Sequence, residues 1–274
     1  MTKIDRKTFD QIERIVYRES GIVLKDKQEL VESRIASLCR KKGYDGPADF
    51  LIHLKKDKGG SVLIELLDKM STNLTYFFRE PAHFKFLADV FLPELMAKKK
   101  KRGSDKIRIW CAACSSGEEP YSLAMVVRDS WNDIDSWDFK ILGTDISTRM
   151  LREASLGEYS RADLQKVPPA MTQRYFTRSG NRHEQVYKIS DEIRRMVVFQ
   201  RLNLLGESFP FSGLFDLIVC RNVMIYFDQA TKESLLGTFH RYMLDGACLF
   251  TGHAESISGY HHLFKRVQVA VYKK

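Results

Sequence analysis

Hydrophobic residues recur at intervals of three and four from Asp5 to about Leu95. These intervals are typical of helices that bury one face, and the alternation expected of strands is absent from this part of the sequence. Glycine and proline interrupt the pattern at Gly21, at 43–47 and at Gly59-Gly60. The first part of the chain is therefore predicted to be a small domain of several short helices.

Further along the chain, short apolar runs alternate with amphipathic segments. The runs predicted as strands cover 107–113, 139–146, 197–202, 215–220 and 248–252, and a last β-rich segment covers 264–272. The segments predicted as helices cover 119–131, 147–156 and 229–244. Nearly continuous apolar strands that alternate with helices indicate a mostly parallel sheet with helices on both faces. We therefore predict an α/β fold with a doubly wound sheet.

Two segments depart from these patterns. Residues 157–195 carry a Gly180-Asn181 pair and an alternating run at 186–189, which predict an inserted β-subdomain. Residues 98–105 read KKKKRGSD and offer almost nothing to bury, so we interpret them as an exposed basic linker. A nucleic-acid or targeting patch is the weaker interpretation of that run, because it contains no aromatic residues. The predicted organisation is a helical domain at 1–97, the linker at 98–105 and an α/β domain at 106–274.

The net charge is concentrated in the helical part. The 274 residues include 44 basic and 35 acidic side chains, a formal net charge of +9. Residues 1–102 hold 22 basic and 15 acidic side chains, so +7 of that charge lies there. A basic surface suits an acidic partner, and nucleic acid is one candidate.

Cysteine use and hydropathy indicate a cytoplasmic protein. No apolar run approaches the roughly 20 residues that span a bilayer, and the amino terminus lacks the apolar core of a signal peptide. The five cysteines are scattered, as expected in a reducing compartment. A single CxxC, at Cys111 and Cys114, does not make a zinc site, so we expect these cysteines to be small buried residues. His253, His261 and His262 show no convincing ligand spacing either, and we expect no metal.

Small residues from Ala112 to Gly117 follow the first predicted strand of the α/β domain. They would let the backbone approach a ligand closely, but a purely structural turn explains them about as well. The GxGxxG pattern of dinucleotide sites is absent. Glu118 and Glu119 come next, at the start of a predicted helix. Acids at this position interact favourably with the helix dipole, and they would also suit a cationic amine of a ligand.

Polar residues also follow later strands. Asp145 ends the second strand, where an acid commonly binds the two hydroxyls of a ribose; capping of the next helix is its alternative role. An acid for an amine and an acid for a ribose together suggest S-adenosylmethionine. Arg221 and Asn222 follow the strand at 215–220 and are hard to explain by packing. Tyr226 is either a site residue or a packing residue at the next helix.

In the helical part, Asn73, Thr75 and Arg79 alternate with apolar and aromatic residues. As isolated residues they are readily explained by capping and surface polarity. Taken with the strand ends of the α/β domain, they could close a site from above.

Five segments in this order, NLTYFFRE, WCAACSSGEEPYS, GTDIS, CRNVMIYFD and GHAES, closely resemble the CheR family of chemotaxis receptor methyltransferases. The resemblance covers nearly the whole chain. It implies transfer of a methyl group from S-adenosylmethionine to glutamates on the cytoplasmic helices of bacterial chemoreceptors, with S-adenosylhomocysteine as the second product. It also implies a methyltransferase sheet with an antiparallel strand near its end.

The resemblance also implies roles for single residues. Arg79 and Tyr226 would lie closest to the reacting carboxylate. The residues implied to bind the cofactor are Asn73, Thr75, Arg79, Glu119, Asp145, Asn203, Leu204, Arg221 and Asn222. The inserted β-subdomain would correspond to one that in some relatives docks a tethering peptide from the receptor.

A basic helix would bind the receptor through Arg34, Arg40 and Lys41, as basic residues do in family members. Ser37 and Leu38 stand where some relatives have arginine, so the expected contact is weaker or differently placed. An ordinary solvated helix face is the alternative interpretation.

Two other functions stay open at this point. A nucleic-acid methyltransferase would usually carry an Asn/Asp-Pro-Pro-aromatic motif where this chain has CRNVMIYF. A non-catalytic receptor-binding module would be expected to lack Arg79 or Tyr226.

Overall fold

The computed structural model describes residues 3–25, 27–71, 73–179, 185–206 and 208–274. The amino-terminal part holds four helices, α1 (Arg6–Ser20), α2 (Gln28–Lys42), α3 (Pro47–Lys56) and α4 (Ser61–Met70). Asp5 caps α1 by accepting a hydrogen bond from the backbone N–H of Thr8 at 2.9 Å. Gly21 and Gly43 end α1 and α2 in the left-handed conformation, as the breaks in the pattern predict. Buried apolar residues of all four helices form one core.

The next helices belong to the α/β domain by their packing. They are α5 (Pro81–Phe86), a π turn (Leu87–Phe91) and α6 (Leu92–Lys101). Buried residues from Phe77 to Leu95 share a core with the central sheet. The predicted boundary at 97 and the linker at 98–105 therefore differ from the structure. Lys98 to Lys101 form the last turns of α6, and Lys99 Nζ lies 2.7 Å from Oδ1 of the buried Asp216. A run of lysines can end a helix because cations favour its carboxyl terminus.

The central sheet has seven strands in the order β6-β2-β1-β7-β8-β10-β9. They are β1 (Lys106–Ala112), β2 (Asp138–Asp145), β6 (Val197–Arg201), β7 (Phe215–Cys220), β8 (Met243–Thr251), β9 (Lys265–Gln268) and β10 (Val271–Lys273). The first five are parallel to their neighbours in this group, and β10 is antiparallel to both β8 and β9. The main helices between these strands are α7 (Glu118–Ser130), α8 (Thr148–Leu156) and α11 (Gln229–Tyr242). The doubly wound sheet and its antiparallel strand are confirmed.

Alternate residues of β1 enter different cores. Ile107, Ile109 and Cys111 pack on one face of the sheet, and Trp110 and Ala112 pack on the other. Two buried faces explain why this strand reads as a continuous apolar run. The strand order reverses beside β1, since β2 lies on one side of it and β7 on the other. Ligands of such folds bind outside the carboxyl ends of the strands at this point.

The predicted inserted β-subdomain is a separate three-stranded sheet in the order β3-β5-β4. Its strands are β3 (Glu158–Ser160), β4 (Phe176–Ser179) and β5 (Val186–Ile189), with α9 (Pro169–Tyr175) before β4 and α10 (Asp191–Arg194) after β5. The Gly180-Asn181 pair lies outside the described residues. In the part of the chain that is described, no helix is both long and apolar enough to cross a membrane.

Candidate active site

The turn between β1 and α7 has left-handed backbone conformations at residues that carry side chains. Ala113 has a φ of 62° and Ser115 one of 49°, and Gly117 follows at 94°. Such conformations cost free energy and are common at functional sites. A Cβ on Gly117 would lie 2.9 Å from the Cβ of Ala154 and 3.1 Å from the hydroxyl of Tyr159. Residues of α8 and β3 therefore pack closely against this turn.

Asp145 joins this turn to the end of β2. Its Oδ2 accepts a hydrogen bond from the backbone N–H of Ser115 at 2.8 Å, and its Oδ1 accepts one from Ser147 at 2.9 Å. Burial raises the pKa of Asp145, although both hydrogen bonds oppose the shift. The side-chain cap of α8 is Ser147, which accepts from the N–H of Met150, so the alternative capping role does not belong to Asp145. Each carboxylate oxygen has further acceptor capacity for a ligand.

Arg221, which follows β7, is the centre of a buried ion-pair network. Its Nη1 lies 2.7 Å from Oε2 of Glu119, and its Nη2 lies 3.1 Å from Oε2 of Glu80 and also donates to the carbonyl of Arg79. Burial raises the pKa of Glu119, and Arg221 partly offsets that effect. Burial opposes ionisation of Glu80 too, but Arg221 and the N–H of His253 outweigh it and lower the pKa of Glu80. Arginine with two acids is a compensated buried cluster.

The turn after β7 is supported by the GHAES segment. Asn222 has a φ of 59°, and its N–H donates to Oε2 of Glu255 at 2.7 Å. The N–H of Gly252 donates to the same oxygen at 2.7 Å. Glu255 therefore joins the ends of β7 and β8 through backbone groups, which explains the part that this segment plays in the site.

The segment after α4 forms the wall opposite the strand ends. The hydroxyl of Ser115 donates to the carbonyl of Asn73 at 3.3 Å. Nη1 of Arg79 donates to the carbonyl of Leu74 at 2.9 Å, and its guanidinium carbon lies 5.6 Å from the ring centre of Tyr76. These contacts hold the guanidinium group of Arg79 at the wall.

The end of α1 and the loop after it contact the α/β domain directly. Nδ2 of Asn203 donates to the carbonyl of Glu19 at 2.7 Å. The N–H of Val23 donates to the carbonyl of Tyr226 at 3.0 Å, and the ammonium group of Lys27 lies 5.1 Å from the ring centre of Tyr226. The helical domain and the α/β domain therefore meet beside the carboxyl ends of the strands.

These segments surround a cleft at the carboxyl ends of the strands. It is lined by all ten residues predicted to bind the cofactor or to act in catalysis: Asn73, Thr75, Arg79, Glu119, Asp145, Asn203, Leu204, Arg221, Asn222 and Tyr226. Residues that the sequence reasoning missed also line it, among them Ser20, Ile22, Phe84 and Phe227. The break at Gly21 marks the end of α1, but no sequence pattern shows that this end reaches the cleft.

The residues predicted to bind the receptor fall into two groups. Arg34 is half-buried, and its Nη1 donates to the carbonyl of Met70 at the end of α4 at 2.8 Å. Burial lowers the pKa of Arg34. Arg40 and Lys41 are exposed at the end of α2. Arg34 is therefore less available to a receptor than Arg40 and Lys41, because its guanidinium already caps another helix.

The cysteines are buried side chains, as predicted. All five are free thiols, and burial raises the pKa of Cys111, Cys114 and Cys220 well above its usual value. A thiol with a raised pKa is a poor nucleophile at neutral pH.

Two family models match consecutive parts of the chain. The model described as the CheR methyltransferase SAM-binding domain matches residues 73–273, and the one described as the CheR methyltransferase all-alpha domain matches residues 7–71. The chain belongs to the CheR methyltransferase family. The resemblance indicated by the five motifs is therefore confirmed. The two CheR models meet where the hydrophobic cores divide, near residue 72 and not at 97.

Full-length relatives agree with this assignment to the CheR family. The chain is 40% identical to the chemotaxis protein methyltransferase of Borreliella burgdorferi, over 99% of this chain and 95% of the relative. It is 36% identical to the probable chemotaxis protein methyltransferase of Rhizobium etli, over 94% of this chain and 96% of the relative. The chemotaxis protein methyltransferase of Escherichia coli is 36% identical over 94% of this chain and 86% of the relative. This member of the CheR family thus has S-adenosylmethionine-dependent methylation in chemotaxis as its activity.

Proposed function

We propose that the protein methylates glutamate side chains of bacterial chemoreceptors, as a protein-glutamate O-methyltransferase. The observation that carries the proposal is that Arg79 and Tyr226 line the same cleft as the buried acids Glu119 and Asp145. The cleft therefore combines side chains that suit an anionic substrate with acids that suit a cationic nucleoside cofactor.

The chemistry of the cleft fits S-adenosylmethionine. Asp145 is anchored by backbone N–H groups and would hold the ribose hydroxyls, and Glu119, whose side chain is 13% exposed, would meet the methionine amine. The left-handed turn at Ala113 and Ser115 lines the cleft with small residues, which leave room for a ligand to approach the backbone. The rest of the cofactor would contact the other lining residues predicted for it: Asn73, Thr75, Asn203, Leu204, Arg221 and Asn222. When bound, the cofactor supplies a methyl group on a cationic sulfonium.

The substrate asks for no general base. A glutamate with a pKa of about 4.3 is already an anion at neutral pH. The chain therefore has to orient the carboxylate and exclude water, and alignment is worth up to roughly 7–11 kcal/mol. One N–H of Arg79 is used on the Leu74 carbonyl, and the guanidinium has further donors for the substrate. The hydroxyl of Tyr226 would donate to the attacking oxygen.

The proposed partner is the cytoplasmic helical domain of a chemoreceptor, which is acidic. Arg40 and Lys41 would contact it, and most of the net positive charge lies in the same part of the chain. The three-stranded sheet of the β-subdomain would be the docking place for a receptor tethering peptide. This assignment places the protein in the cytoplasm, with neither nucleic acid nor membrane insertion in its function.

The proposal is tested by incubating the protein with radiolabelled S-adenosylmethionine and membranes that contain chemoreceptors. The expected product is labelled receptor that loses its label as methanol in mild alkali, because methyl esters hydrolyse there. Label that survives alkali would contradict the ester, and label on added RNA would point to a nucleic-acid substrate.

A further inference from the structure

Glu80, His83 and His253 form a cluster outside the cleft described above. Glu80 and His83 lie at the start of α5, and His253 lies two residues after β8. One ligand atom from each side chain can be chosen so that all three atoms lie within 4.8 Å of one another. His253 shows no ligand spacing in the sequence, because its partner Glu80 lies 173 positions away. The fold brings the three residues together.

His83 is a buried titratable side chain. Its side chain is 1% exposed and its ring stacks on Phe250, with ring centres 5.1 Å apart. Within the described residues, neither ring nitrogen meets strict hydrogen-bond geometry, although the backbone of Ala270 lies close enough to act on the ring. Burial, helped by Arg221, lowers the pKa of His83 to about 4. A buried polar group that lacks a well-formed hydrogen bond is costly. The ring of His83 is therefore an unexplained feature of the core.

A carboxylate lies close to one ring nitrogen of each histidine. Nδ1 of His83 lies 3.4 Å from Oε2 of Glu80, and Nε2 of His253 lies 3.9 Å from the same oxygen. The backbone N–H of His253 donates to Oε1 of Glu80 at 3.2 Å and fixes the carboxylate. Two imidazoles thus face one carboxylate oxygen, and a cation between them would contact all three.

Arg221 already neutralises part of this cluster. Its guanidinium contacts Glu80 and also pairs with Glu119 at the shorter distance of 2.7 Å. The carboxylates of Glu80 and Glu119 and the guanidinium of Arg221 together carry a formal net charge of −1. The cluster therefore attracts a further cation, even with Arg221 in place.

We propose that Glu80, His83 and His253 form a binding site for a divalent transition metal of the Zn²⁺ class. Two imidazoles and one carboxylate are the ligand set of open zinc sites, and Mg²⁺ and Ca²⁺ prefer oxygen ligands alone. Ligand atoms around a tetrahedral Zn²⁺ lie roughly 3.4 Å apart, given Zn–N distances of about 2.0–2.1 Å. The His83–Glu80 distance already meets this, and His253, whose side chain is 47% exposed, can turn inward. The metal would fasten the start of α5 to the loop after β8.

The test uses the full chain, freed of metal by a chelator. Zn²⁺ is titrated in competition with a chromophoric chelator, and Co²⁺ is added separately for its absorption spectrum. One Zn²⁺ per chain is expected, and His253→Ala should weaken binding by at least about tenfold. His261→Ala is the matched control, since His261 is also an exposed histidine near the end of the chain, and it should bind as the unchanged protein does.

Two further measurements distinguish metal binding at this site from metal binding by cysteines and from loss of binding through misfolding. Zn²⁺ should raise the thermal unfolding temperature of the unchanged protein and of His261→Ala, but not that of His253→Ala. The Co²⁺ spectrum should lack the charge-transfer band of a thiolate ligand. Failure to bind one metal per chain, equal affinity in His253→Ala, or a thiolate band would each overturn the proposal.

Discussion

The guanidinium of Arg221 lies 2.7 Å from the carboxylate of Glu119, and this ion pair joins the end of β7 to the start of α7. The Arg221 side chain is 2% exposed and that of Glu119 13%. A buried pair of this kind costs several kcal/mol if one partner is removed. The Arg221–Glu119 ion pair therefore fixes two elements that line the cleft and lie about 100 residues apart in the sequence.

The first prediction concerns Asp145. Asp145→Ala should weaken the binding of S-adenosylhomocysteine by about 10- to 100-fold or more, because hydrogen bonds to a charged group are worth roughly 1.5–3 kcal/mol each. Calorimetric titration measures the affinity. Asp133→Ala, in an exposed loop, is the control and should bind normally. Unchanged affinity in Asp145→Ala would remove Asp145 from the cofactor site.

The second prediction concerns Arg79. Arg79→Ala should lower the methylation rate by about 100-fold, since a misplaced substrate reacts that much more slowly, with only a limited loss of cofactor affinity. Single-turnover methylation and calorimetry give the two quantities separately. Arg102→Ala is a control at an exposed arginine. Retained turnover in Arg79→Ala would exclude the proposed role of Arg79.

The third prediction concerns the exposed end of α2. Arg40→Glu with Lys41→Glu should reduce receptor methylation at low salt, and the difference from the unchanged protein should shrink as salt rises, because exposed charges are screened. Lys56→Glu with Lys58→Glu makes the same change of charge at exposed positions outside α2. If both double variants lose the same activity, net charge alone explains the effect and α2 has no special role.

The fourth prediction separates two lysines of one run. Lys99→Ala should destabilise the protein by about 3 kcal/mol, because it leaves Asp216 buried with its main cation removed. Lys100→Ala, at the exposed next position, should change stability by less than about 0.5 kcal/mol. Urea unfolding measures both. Equal stability of the two variants would show that the run is solvated throughout.

The fifth prediction is a pH dependence due to Glu118. Burial raises the pKa of Glu118 from 4.5 to about 7, against the effect of hydrogen bonds that include one from Ser116. The folded state then binds a proton that the unfolded state releases above pH 4.5. Its contribution to stability is complete below pH 4.5 and is lost as pH rises towards 7.

Urea unfolding between pH 5 and 8 tests this contribution of Glu118. The unchanged protein should lose up to about 3 kcal/mol relative to Glu118→Gln across this range. His83, with its lowered pKa, changes stability in the opposite direction below pH 6.5, so the comparison with Glu118→Gln is essential. Parallel pH profiles for the two proteins would contradict the prediction.

The strand ends of the α/β domain were predictable because a buried run that stops at a polar residue is a strong local signal. Asp145 and Arg221 are examples, and both line the cleft. Glu80 gave no such signal, since it stands before a proline in an aromatic segment and its partners are distant. Lys99 was misinterpreted for a related reason. A run of lysines has the composition of a solvated linker, and that composition does not show which lysine pairs with a buried acid. Long-range ion pairs leave no periodic trace in a sequence.

The capping of α4 by Arg34 has a consequence for how the two ligands of this protein influence each other. Arg34, on the proposed receptor-binding helix, also approaches the carbonyl of Ser71 at 3.4 Å, and Ser71 lines the cleft. A change at either end of this contact would act on the other end. Coupling between two binding equilibria is reciprocal, so a receptor that shifts α2 would change the affinity for the methyl donor by the same factor by which the donor changes receptor affinity.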